Sequence, residues 1–309
     1  MTTVTVVRGG MLTTVQDLGR WGHQSSGVPV AGPMDQYSHR LANRLVGNYP
    51  DAAALEVTLV GPELEADGEL ACVLCGAMFD VTAGGRAVGA NQVFDIHRGE
   101  RIRFGRRVAG ARATLAVRGG FDEPPVLGSR ATSLVSGMGP FGGRALTAGD
   151  VLHVGDGHLT SSALLPGRAL RLPEGGARLR AIPGPHDALF APEALDLFFT
   201  SRFTLTPKSN RMGYRLEGPP LAHGPNADIL SDATPIGSVQ VPKSGQPILL
   251  MADRQTTGGY PKIATVITAD LPLAGQLAPG DWVCFTPCTR REAAEALLRL
   301  ERRLAGHPA

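Results

Sequence analysis

Apolar positions in this chain come in short runs with the alternation of a half-buried strand, and glycine and proline separate them. On this pattern residues 2–7, 55–60, 70–74, 102–104, 113–117, 151–154, 203–206, 248–251, 265–268 and 282–285 read as strands. Helical spacing is rarer. Gly32-Pro33-Met34-Asp35 opens one helix, with proline in the first turn and Asp35 at the positive end. Met34, Tyr37, Leu41 and Leu45 follow along one face, and Gly47 stops it. Residues 192–200 make a shorter second helix. The capping box Thr289-Arg-Arg-Glu292 starts a third, which carries Ala293, Leu297, Leu300 and Leu304 at helical spacing and Arg302 and Arg303 near its negative end. The pattern predicts a mostly β protein with a few short helices.

One motif recurs: glycine, an acid, then a strand. It appears as Arg98-Gly-Glu-Arg-Ile-Arg-Phe104, as Pro279-Gly-Asp-Trp-Val-Cys-Phe285 and, more loosely, as Ala148-Gly-Asp-Val-Leu-His-Val154. Two related β-barrel units in tandem would produce it, and so would the ordinary start of a hairpin strand. The stretch 155–176, rich in Gly, Ser and Pro, is the expected linker. It gives a first unit over 1–165 and a second over 166–309 that includes the C-terminal helix, with terminal strands free to cross between them.

Composition narrows the classes. The 309 residues include 40 glycines and 24 prolines, about a fifth of the chain, yet 43% are hydrophobic, so the turn formers lie between apolar segments rather than replacing them. That excludes low-complexity disorder and a helical bundle. A net charge of +2 argues against a dedicated nucleic-acid binder. No apolar run approaches the ~20 residues needed to span a bilayer, and the N-terminal stretch lacks the pattern of a secretory signal, so the expected location is cytoplasmic. Cys72-x-x-Cys75 and Cys284-x-x-x-Cys288 suggest a zinc site, but residues three apart on a strand point to opposite faces. No metal is expected, and the thiols read as buried strand residues.

The richest chemistry lies in Met251-Ala-Asp-Arg-Gln-Thr-Thr-Gly-Gly-Tyr-Pro-Lys262, directly after an apolar strand. Arg254, Gln255 and Lys262 offer fixed donors for a carbonyl or carboxylate oxygen, and Tyr260 adds a phenol; these four are the catalytic candidates. Thr256 and Thr257 are candidate substrate contacts. Lys262 also stands out because the chain has only three lysines, Lys208, Lys243 and Lys262, and the first two sit in Pro-Lys-Ser turns. A compact ammonium can enter geometries closed to a planar guanidinium. In 207–214, Asn210 and Arg211 read equally as turn residues and as binders of an amide or carboxylate. In Leu12-Thr-Thr-Val-Gln-Asp-Leu-Gly-Arg20, the residues Gln16, Asp17 and Arg20 read first as a network holding a long loop and second as substrate contacts. In Pro183-Gly-Pro-His-Asp187, Asp187 reads as the cap of a short helix. The chain has no Gly-x-x-x-x-Gly-Lys-Ser/Thr loop, no Gly-x-Ser-x-Gly elbow, no His-Glu-x-x-His helix and no Met-Lys-Met biotin site. By itself it offers neither an ATP site nor an activated nucleophile.

These motifs resemble one family. The 12–20 stretch, Ala52-Ala-Ala-Leu-Glu-Val-Thr58, Asn210-Arg-Met-Gly-Tyr-Arg-Leu-Glu-Gly218 and 252–265 are similar to motifs of the allophanate hydrolase subunit 2, or biotin-dependent carboxyltransferase, group. That group includes the C subunit of bacterial 5-oxoprolinase and KipA-like antagonists of a sporulation kinase inhibitor. The resemblance runs from about residue 6 to 285 and implies two cyclophilin-like β-barrel domains. It implies a subunit 1 (KipI-like) partner with which the active site is assembled, and a third, LamB/YcsF-like subunit. The activity it implies is ATP-dependent opening of the 5-oxoproline lactam to glutamate, with ATP used by the complex and no covalently bound cofactor. It also leaves two alternatives. One is carboxyl transfer from carboxybiotin to urea or a similar amide, less expected because the chain lacks biotin carboxylase and carrier parts. The other is a non-enzymatic regulatory subunit.

Overall fold

The computed structural model describes residues 2–156, 167–225 and 229–307. Contacts divide them into two units: residues 1–20, 31–172 and 301–309 in one, and 21–30 and 173–300 in the other. Residues 157–166 of the expected linker, and with them the boundary at 165, lie outside the described residues.

The mostly β class read from the sequence is what the structure shows. The first unit is a nine-stranded sheet built on two long antiparallel strands, Leu70–Ala83 and Arg101–Val117. The sequence pattern splits the second of these at its arginine- and glycine-rich middle. Its partner keeps it continuous through three register shifts between Gly76 and Val81. The inward faces form one apolar core that includes Val57, Leu74, Ile102, Leu115 and Leu152. Its helix, Gln36–Val46, begins after the Gly32–Asp35 opening read from the sequence, so Pro33 and Met34 precede it. Asp35 is the cap and accepts from the Ser38 N–H at 2.9 Å, and Gly47 ends the helix as expected at φ 85°. Met34, Tyr37 and Leu41 are buried as the spacing predicted, whereas Leu45, the fourth residue of that face, is half-buried. Cys72 and Cys75 are buried thiols in this sheet, and burial pushes Cys72 up to about 12 and raises Cys75 as well.

Where two barrels were expected, the second unit is a closed seven-stranded barrel and the first is the branched sheet just described. Round the barrel run Gly176–Pro183, Lys262–Val266, Ser238–Gln240, Ile248–Leu250, Gly213–Glu217, Arg202–Leu205 and Trp282–Pro287. The ring closes through a parallel pairing of Gly176–Pro183 with Trp282–Pro287. Phe198, on the helix Pro192–Thr200, stacks on Phe285 at 4.3 Å between ring centroids, with Phe203 beside them. These rings and Leu179, Tyr214, Val239, Leu249 and Ile263 form the buried interior.

The recurrent motif has a common geometry. In all three copies the glycine has positive φ (Gly99 77°, Gly149 92°, Gly280 93°), and the next residue's carboxylate accepts the N–H three positions back. The pairs are Glu100 with His97 at 3.0 Å, Asp150 with Thr147 at 2.8 Å and Asp281 with Ala278 at 2.8 Å. A strand begins at the following residue each time.

Candidate functional site

The barrel carries the candidate loop on a rigid base. Strands Gly213–Glu217 and Ile248–Leu250 pair antiparallel, and the pairing continues past them as Met251 N–H to Met212 O and Asp253 N–H to Arg211 O, both 2.9 Å. Side chains lock the same register. Arg211 donates from Nε and Nη2 to the two oxygens of Asp253 at 2.9 Å each, and the two side chains are only 4% and 1% exposed. Arg211 is therefore an internal ion-pair partner. Asn210 Oδ1 accepts the N–H groups of Met212 and Gly213, forming the local turn that the sequence allowed.

Beyond this anchor Arg254, Gln255 and Thr256 turn along one wall of a cavity of about 330 Å³. Ala233, Thr234, Pro235 and Ile236 form the facing wall, and Trp21, Gln24 and Val30 close the remainder. Arg254 Nε donates to Thr234 O at 2.7 Å, and Nη1 makes a long contact to Met251 O at 3.5 Å. Nη2 has no partner among the described residues. The neighbouring carboxylate of Asp253 is committed to Arg211, so Arg254 is a half-buried cation with no ion pair among the described residues, and burial pushes it down to about 10. Gln255 Nε2 donates to Gln240 Oε1 at 3.3 Å, and its backbone oxygen accepts the Thr234 hydroxyl. A cation in want of an anion, beside an amide and a hydroxyl on a partly apolar wall, suits a small ring bearing a carbonyl or carboxylate.

Lys262 departs from expectation. The sequence places it at the end of the polar loop; it is instead the first residue of a barrel strand and 2% exposed. Its Nζ donates to Asp232 Oδ2 at 2.6 Å and to Ala233 O at 2.8 Å, and it is not among the cavity's lining residues. Its backbone N–H meets His186 Nδ1 at 3.3 Å. Burial, and then the Lys262 charge, hold His186 below its ordinary value, while hydrogen bonding to Lys262 lowers Asp232. Tyr260 is exposed and also outside the lining; Thr257 lies in a two-stranded ribbon with Ala233. Among the described residues the Asp187 carboxylate accepts only the adjacent Ala188 N–H, and the short helix begins at Asp187 itself with His186 before it.

Gln16, Asp17 and Arg20 belong to the first unit and sit in a dense network there. Asp17 accepts from Gly19 N–H, Ser129 Oγ and Arg130 N–H. Arg20 donates to Val126 O at 2.7 Å and Ala131 O at 2.9 Å, and Gln16 donates to Thr132 O at 3.0 Å. The structure thus gathers Arg254, Gln255 and Thr256 at one cavity of the second unit, whereas Gln16, Asp17 and Arg20 join a network within the first. Sequence reasoning missed Trp21, Thr234, Asp232 and His186. Only His186 carried a signal, as a histidine in a Pro-Gly-Pro turn.

Residues 26–287 match the family described as carboxyltransferase domain, subdomain A and B, and the chain belongs to that family. The resemblance seen in the motifs is borne out. Among its relatives, the 5-oxoprolinase C subunit of Escherichia coli (strain K12) is 41% identical over 293 residues, covering 94% of this chain and 93% of that protein. Urea amidolyase of Lachancea kluyveri is 35% identical over 318 residues, covering 94% of this chain and 17% of that protein. The crystal structure of K. lactis urea amidolyase superposes with a TM-score of 0.90 at 31% identity, over 98% of this chain and 20% of that one. Among the described residues no helix is long and apolar enough to cross a membrane.

Proposed function

We propose that this chain is the C subunit of a 5-oxoprolinase complex that opens the lactam of 5-oxo-L-proline to L-glutamate at the expense of ATP. The observation that carries the reading is the 41% identity to the 5-oxoprolinase C subunit over nearly the whole of both chains. The match to urea amidolyase, by contrast, covers a sixth of that protein. The cavity supports it: the free Nη2 of Arg254 and the amide of Gln255 suit the substrate carboxylate or the lactam oxygen as it takes on charge. Thr256 and Thr234 line the same cavity, and the apolar part of its wall suits the methylene side of the ring.

In this reading a subunit 1 (KipI-like) chain and a LamB/YcsF-like chain supply the ATP site and the remaining catalytic groups. The same donors would suit the ureido oxygen of carboxybiotin, which also presents a carbonyl between two ring nitrogens. The test is to co-express the chain with its co-encoded partners and measure ATP-dependent glutamate release from 5-oxoproline. Arg254→Ala should abolish most of it. A complex that is inert toward 5-oxoproline but moves carboxyl from carboxybiotin to urea would overturn the proposal.

A further inference from the structure

The segment entering the cavity wall has little packing of its own. Leu230 is 92% exposed, and Ser231, Asp232 and Ala233 are also exposed. None of these four side chains is packed into a core, so the segment's position rests on hydrogen bonds and on the ion pair of Asp232. Those bonds converge on two places. The two-residue ribbon pairs Asp232 with Gly258 and Ala233 with Thr257. Thr234 is stitched to the loop three times: its N–H donates to Thr256 O at 3.1 Å, its hydroxyl donates to Gln255 O, and its carbonyl accepts Arg254 Nε at 2.7 Å. What orients Arg254 and Gln255 from this side therefore passes through residues 232–234.

Among the described residues, Lys262 is the one charged group that ties those residues to the barrel. Its ammonium reaches from the first position of a barrel strand to both Asp232 and Ala233 and is itself enclosed. The two acceptors lie on consecutive residues, which suits a compact point donor better than a planar fork. The strand's start is fixed independently: the Lys262 N–H meets His186, and a Cβ on Gly184 would stand 2.2 Å from Lys262 O.

On the reading that the Arg254 cavity is the substrate site, we infer that Lys262 is a positioning residue: with Asp232 it latches the 232–236 wall to the barrel, and so sets the aim of Arg254 without touching substrate. The latch does not depend on which ring the cavity takes.

Two measurements test it. In the isolated full-length chain, Asp232→Asn and Lys262→Met should each speed hydrogen exchange of the Thr234 amide roughly tenfold or more, while amides of Ile263–Val266 stay unchanged; the double variant should match the singles. Asp232→Asn alters a half-exposed carboxylate and serves if Lys262→Met disturbs folding. In the active complex, both single variants should raise KM for 5-oxoproline more than they lower kcat. Unchanged exchange at Thr234 in Asp232→Asn would overturn the latch. So would a Lys262→Met variant that loses turnover while Asp232→Asn keeps it, since the ammonium would then be acting on substrate. A complex with no 5-oxoproline turnover at all defeats the functional reading instead, and the exchange result still decides the latch.

Discussion

Replacing Asp253 by asparagine isolates the energetics of the loop's anchor. The Arg211–Asp253 pair is bidentate, with both N···O distances at 2.9 Å and side-chain exposures of 4% and 1%, so neither charge can fall back on water. Removing one member of such a pair costs about 3–5 kcal/mol, mostly because the other charge stays buried, whereas replacing both by apolar groups is often near neutral. Asp253→Asn should therefore lower the melting temperature by roughly 10 °C, at about 2–4 °C per kcal/mol for a domain of this size. Arg211→Met with Asp253→Leu should recover most of that loss, and added salt should leave the pair's contribution nearly intact because buried charges are weakly screened. The assay is thermal unfolding of the wild type, Asp253→Asn, the double variant and its two component single variants at low and high ionic strength. The double variant should still lose turnover in the complex, since the backbone register that aims Arg254 goes with the pair. A loss below about 1 kcal/mol for Asp253→Asn, or a double variant as unstable as the summed singles, would refute the reasoning.

Other outcomes follow from the same geometry. Arg254→Ala should cut turnover of the complex by ~10²–10³ while leaving the melting temperature unchanged or slightly raised, because it removes a desolvated cation without an ion pair among the described residues. Gly258→Ala should impair ligand binding more than stability: its Cβ would come within 2.7 Å of Gln240 Nε2 and 3.2 Å of Gln255 Nε2, both ends of flexible side chains. His39, buried and held at about 4 by burial, is neutral in the fold. The unfolded chain takes up that proton first, so its contribution is complete above pH 6.5 and falls toward pH 4, by about 3 kcal/mol at most. His39→Gln should flatten the change in melting temperature between pH 7 and pH 5. Finally, the isolated chain should show neither ATPase nor lactamase activity in direct assays.

Local features were readable. Gly47 ends its helix as predicted, the Thr289–Glu292 box closes at 2.7 Å, and every predicted strand run falls in or overlaps a strand. What stayed hidden was long-range. Residues 101–117 look broken because Gly105 and Gly110 sit among arginines, and only the partner strand makes them continuous. Gly176–Pro183 looks like the end of a linker; its parallel partner lies over a hundred residues away. At the site the loop's polarity was legible but its division of labour was not. Arg211 meets Asp253 across 42 positions, and Lys262 meets Asp232 across 30. A lysine beside Pro261 gives no hint that its charge is neutralised inside the fold.

The glycine–acid turn closes all of its defining bonds within four residues, so none of its copies needs the rest of the chain in order to form. Two copies serve the first unit and one the barrel, in sheets of different topology. A device so self-contained can arise wherever a strand needs a sharp start. Its recurrence therefore does not require that the two units share an origin, since local bonding alone is enough to build each copy.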